Sequence, residues 1–79
     1  MTLLSSPQGQ WLKVTCLDGG KNLRDRLTQY GIFPGDCVRV LRIAPLNGPL
    51  LVEVNGREIA LGRAVAEKIL VEIGECDSR

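Results

Sequence analysis

The chain has 79 residues, 10 Lys+Arg against 9 Asp+Glu, no histidine, and 44% hydrophobic residues. This describes one small folded domain of modest stability, because so short a chain buries only ~60% of the surface its unfolded form exposes. A second domain and a deep substrate cleft are excluded by size, and near-balanced charge argues against the strongly basic face of a nucleic-acid binder.

SSPQGQ, in residues 1–10, is small, polar and turn-prone, so these residues are expected to form a flexible lead-in. MTLLSSPQGQW has neither the basic start nor the apolar core of a signal peptide, and none is expected. WLKVTCL, 11–17, alternates around β-branched residues and predicts a strand. Asp18-Gly19-Gly20 breaks it. In KNLRDRLTQY, 21–30, the period changes: Leu23, Leu27 and Tyr30 fall on one helical stripe. Gly31 sits where a helix ends in the left-handed conformation. Ile32 is placed to fold back on the last turn, and Pro34-Gly35 predicts a reverse turn.

CVRVLRIA, 37–44, predicts a second strand whose phase slips after Val40. A bulge near Leu41-Arg42 would return Ile43 to the inner face. APLNGP, 44–49, predicts a loop. LLVEV, 50–54, and REIAL, 57–61, are strands joined by Asn55-Gly56, the strongest hairpin signal in the chain. RAVAEKI, 63–69, predicts a short helix and LVEI, 70–73, a fifth strand. GECDSR, 74–79, is a polar tail. The expected fold is therefore mainly β: a small SH3-like barrel of about five antiparallel strands. One helix follows the first strand and a short helix precedes the last. Closing or half-closing such a sheet removes exposed edges.

Cys16, Cys37 and Cys76 are odd in number and widely spaced, and none belongs to a CxxC pair. They are read as reduced thiols in a cytosolic protein. A metal site would need Cys16 and Cys37 to meet beside a carboxylate. Both occupy strand positions where small buried residues are normal, and ferrous iron favours imidazole with carboxylate, so no metal or cofactor is expected. No acid/base pair, phosphate loop or triad can be assembled, so no enzymatic activity is expected. No apolar run approaches the ~20 residues that cross a membrane.

Taken in order, Leu23-Arg24-Asp25-Arg26-Leu27, Gly31-Ile32, Pro34-Gly35, Val38-Arg39-Val40, Ala44-Pro45, Gly48-Pro49, Val52-Glu53-Val54-Asn55-Gly56, Ile59-Ala60-Leu61 and Ala66 to Ile69 resemble the FeoA domain. The resemblance covers residues 11–73. It implies an SH3-like barrel and a cytoplasmic accessory protein of bacterial ferrous-iron uptake. Such a protein binds the cytosolic region of the membrane transporter FeoB and is peripheral to the membrane through it, without inserting. The same domain resembles the C-terminal module of metal-dependent repressors. The 79 residues hold no room for the DNA-binding and dimerisation parts of such repressors, so a free-standing accessory domain is the expectation. One departure from the family pattern stands out. Gly62, Ala64 and Val65 replace polar helix-starting residues, so the second helix has no strong N-cap and Val65 is expected to be exposed.

The candidate partner-binding residues are Phe33, Arg39, Leu41, Arg42, Leu46 and Leu51. Phe33 sits at a turn tip beyond the inward Ile32. Arg39 and Arg42 lie on a strand beside Leu41, and Leu46 and Leu51 are hard to bury in so small a domain. A metal-responsive regulatory or nucleic-acid-binding module is the alternative, but Trp11, Tyr30 and Phe33 are not interleaved with basic residues as stacking platforms would be. Weak self-association through the exposed leucines is a third reading.

Overall fold

A computed structural model describes residues 1–74 and Cys76; of the expected polar tail, residues 75 and 77–79 lie outside the described residues. The elements follow as β1 (Leu12–Leu17), α1 (Lys21–Tyr30), β2 (Cys37–Ile43), β3 (Leu50–Val54), β4 (Arg57–Leu61), α2 (Arg63–Ala66) and β5 (Ile69–Ile73). All five strands belong to one antiparallel sheet, ordered β4-β3-β2-β1-β5. This is the expected SH3-like, mainly β architecture.

The inner face follows the alternation of the strands. Leu12 and Val14, Val38 and Val40, Leu50, Val52 and Val54, and Ile69 and Val71 are all buried, and Leu27 and Ile32 close over them from α1 and its exit. Burying such side chains contributes roughly 1.5–3 kcal/mol each. α1 stops where the sequence places its stop. Gly31 takes φ 84°, which a residue with a Cβ adopts only under strain, and the Ile32 N–H donates back to Leu27 O at 2.9 Å. The Asn55-Gly56 turn has positive φ at both residues, 53° and 77°, as a type I′ hairpin requires.

Several expectations change. The chain start is anchored rather than a loose lead-in: Leu3 and Ser6 are buried, while residues 7–10 are exposed. Leu3 is in the core, its N–H donates to Ile69 O at 2.8 Å, and the Val71 N–H donates to Met1 O at 2.8 Å. The chain start thus covers the outer edge of β5, and the Gly9 N–H reaches Val40 O on β2 at 2.7 Å. The polar SSPQGQ signal masked the apolar Leu3 before it. Tyr30, expected on the buried stripe, is exposed, because α1 buries only Leu27 fully. α2 ends at Ala66, with no side-chain cap at Gly62. Val65 is not an exposed contact: it is partly buried and packs against the core.

The bulge falls where the phase slip predicts. Val40 pairs with Val52 and Arg42 with Leu51, so Leu41 is the extra residue. Ile43 then pairs with buried Leu50, on the same face. It lies at the strand's end and stays 40% exposed, so it forms the rim of the core rather than part of it.

The cysteine reading is overturned. Cys37, the first residue of β2, forms a disulfide with Cys76 across a Cα–Cα distance of 6.0 Å. Sequence spacing hid the pair because its partners are 39 residues apart. Cys16 is a free, exposed cysteine. The Cys16–Cys37 pairing considered for a metal is therefore not formed, since the Cys37 sulfur is already bonded.

Candidate functional site

The six candidate residues divide into three places. Phe33 stands at the exit of α1, in a turn closed by the Asp36 N–H donating to Phe33 O at 3.0 Å. The Asp36 carboxylate accepts from the Phe33 N–H at 2.9 Å, which fixes the turn from its other side. The Phe33 side chain is left 47% exposed. With Pro34, Thr15, Cys16, Leu17 and Arg24 it lines an open groove of about 380 Å³ between β1 and α1.

Arg39 is not a free cation. Its Nε and Nη2 donate to Glu53 Oε1 at 3.0 and 2.6 Å, in the cross-strand pair that the β2–β3 register dictates. Its guanidinium also lies over the Trp11 ring, 4.7 Å from the centroid. A cation held by a carboxylate and an aromatic face is a structural strut. Arg39 belongs to the sheet's outer surface rather than to an available basic patch.

Leu41, Arg42 and Leu51 meet at the far end of the β2–β3 pair, with Arg42 opposite Leu51 and Ala60 on Leu51's other side. Arg42 is exposed, and Leu41 and Leu51 are half-buried. From here the chain runs directly into the 44–49 loop that carries Leu46. That loop is closed at its base by the Ala44 N–H donating to Pro49 O at 3.0 Å, and within by the Gly48 N–H donating to Pro45 O at 3.1 Å. Leu46 is 97% exposed at its tip.

Leu41, Arg42 and Leu51 thus share one end of the β2–β3 pair, and the loop that carries Leu46 leaves from that same end. Phe33 is set apart at the other end of β2, about 20 Å away along the strand at ~3.3 Å per residue. The groove around Phe33 was missed in part: Cys16 and Arg24 face it from elements whose packing angle no periodicity reveals. Among the described residues, no three His, Cys, Asp or Glu side chains cluster so as to hold a metal ion. No helix among them is long and apolar enough to cross a membrane.

The family model described as FeoA domain matches residues 1–73. A curated protein of Methanocaldococcus jannaschii, named "Putative Fe(2+) transport protein A", is 36% identical over 73 residues, covering 92% of this chain and 87% of its own. The solution structure of an FeoA protein from Chlorobium tepidum matches with a TM-score of 0.84 at 35% identity, over 99% of this chain and 74% of that one. Iron(II) transport protein A from Clostridium thermocellum matches with a TM-score of 0.87 at 27% identity, over 92% of this chain. This chain spans 45% of that protein's length. The fold also recurs in ScaR, a manganese-activated repressor solved with bound Zn2+, at a TM-score of 0.84 and 25% identity over 91% of this chain and 36% of ScaR.

Proposed function

The chain belongs to the FeoA family, and on that premise we propose that it is a non-enzymatic accessory protein of ferrous-iron uptake that binds the cytosolic region of the FeoB transporter. The observation that carries this reading is the match of the FeoA model to residues 1–73. The surface is compatible with it. A rigid sheet displays two apolar sites, Phe33 at one end and Leu46 with its neighbours at the other, and Arg42 supplies positive charge beside the second.

The mechanism is selective stabilisation. A protein that binds one conformation of a transporter better than another shifts its population toward the better-bound one. The domain then works at the inner membrane face, held there by its partner. Ferrous iron is the transporter's cargo in this scheme.

A second reading has a specific observation behind it: the likeness to ScaR supports a metal-responsive regulatory module. The two differ in what they require of cells lacking this chain. Under the accessory reading, initial rates of Fe(II) uptake fall on deletion and return with the wild-type chain, while transporter transcript stays constant. Under the regulatory reading the transcript changes first. Unchanged uptake on deletion contradicts the accessory reading.

A further inference from the structure

The geometry points to Leu46 as a preformed knob that seats in an apolar, carboxylate-rimmed pocket on the partner, an inference that rests on the transporter-binding reading and specifies its contact. Two local rules are broken at this one residue. The Leu46 side chain is 97% exposed, and its backbone is left-handed, at φ 59°. Asn47 follows with φ 59°, so Leu46 and Asn47 are the central pair of a Pro45–Gly48 turn with positive φ at both positions. Such turns favour Gly, Asn or Asp at the first central position, because a Cβ there clashes with its own backbone. A leucine at that position gains nothing from the fold and strains it. An outlier of this kind is read as function.

The turn is also held rigid. Pro45 and Pro49 bracket it, and two backbone hydrogen bonds close it. At Gly48 a Cβ would crowd Ala44 Cβ at 2.8 Å and Pro45 O at 3.1 Å, so the loop packs tightly on itself. The backbone that carries the leucine is therefore held in place, and little backbone freedom remains to be lost on docking. Half-buried Leu41 and Leu51 lie at the same end of the β2–β3 pair from which the loop leaves.

Charge selects the occupant. Residues 40–52 and 59–66, which make this end of the sheet, contain Arg42 and Arg63 and no acidic residue. A matching pocket is apolar with carboxylates at its rim. The groove around Phe33 on a second copy of this chain fits poorly, because it carries Arg24 and would set like charges together.

The test compares wild type, Leu46→Asn and Leu46→Met for thermal unfolding and for binding to purified, detergent-solubilised FeoB. Asn tolerates the left-handed backbone, so Leu46→Asn raises the unfolding midpoint, by roughly 4–8 °C if about 1 kcal/mol of strain is relieved. The same variant weakens binding roughly ten- to a hundredfold, the factor that burying a whole leucine commands. Leu46→Met keeps wild-type affinity. Wild-type affinity in Leu46→Asn overturns the knob while leaving the accessory reading intact. Failure of the wild type to bind overturns both. If the wild type self-associates with concentration and Leu46→Asn abolishes that alone, the knob serves a second copy and the proposal is wrong.

Discussion

Arg39 and Glu53 face each other across the β2–β3 pair, with Arg39 Nη2 2.6 Å from Glu53 Oε1 and the guanidinium resting on Trp11. Both side chains keep about a third or a quarter of their surface in water, 34% and 26%, so screening limits the pair's worth. Glu53 also sits directly opposite Glu58 on β4, and Arg39 offsets that like-charge contact. Arg39→Ala is expected to lower stability by about 1 kcal/mol, with Glu53→Ala non-additive in a double-mutant cycle. Additive losses in denaturant unfolding would contradict the strut.

Arg39 and Arg42 therefore separate in function although they are neighbours on one strand. Arg42 is exposed opposite Leu51, and its side chain has no hydrogen bond or ion pair among those described. Arg42→Glu is expected to leave stability within ~0.5 kcal/mol. It should also weaken transporter binding, more at low salt than at high salt. Equal binding at both salts would remove Arg42 from the contact.

The Cys37–Cys76 bond closes a long loop, its ends separated by 39 positions in sequence. Chain-entropy arguments assign such a closure up to about 4 kcal/mol. Reduction, or Cys76→Ser, is expected to lower unfolding stability by roughly 2–4 kcal/mol. Alkylation of the purified, unreduced protein should modify one thiol per chain, Cys16. Three modified thiols would contradict the pairing and restore the fully reduced reading.

Leu3 extends the core beyond residues 11–73, where the sequence patterns place the domain, and into the first ten residues that the FeoA model also matches. Leu3→Ala is expected to cost about 2–5 kcal/mol, as for other buried leucines that leave a cavity. If chemical denaturation registers no loss, the N-terminal segment is not part of the cooperative unit.

Gly31 tests the helix stop. Its φ is 84°, and a Cβ there would collide with the Arg57 guanidinium, whose Nη2 donates to Tyr30 O at 2.7 Å. Gly31→Ala is expected to destabilise by roughly 1–2 kcal/mol from backbone strain alone. A neutral outcome in thermal unfolding would show that the α1 exit relaxes freely.

Much of the fold was legible because local rules and the global fold agree. The period change at Lys21, the stop at Gly31, the Asn55-Gly56 hairpin and the phase slip at Leu41 each reappear where the residues place them. What stayed hidden depends on distance in the chain. The burial of Leu3 against β5, the Cys37–Cys76 bond and the Arg39–Glu53–Trp11 stack each join residues whose neighbourhood only the sheet order creates. The site was legible in part for the same reason. Exposure of Phe33 followed from its turn and that of Leu46 from the difficulty of burying it in so small a domain, while the immobilisation of Arg39 required the register of two strands.

The central claim is that this chain binds the transporter through its exposed apolar sites. The most direct measurement is an equilibrium binding titration of the purified chain against purified FeoB in detergent, repeated with Phe33→Ala and with Leu46→Asn. Saturable binding, weakened by at least one of these substitutions while both variants stay folded, is the predicted result. The absence of binding in every nucleotide and iron condition would contradict the account and leave only the fold and the family standing.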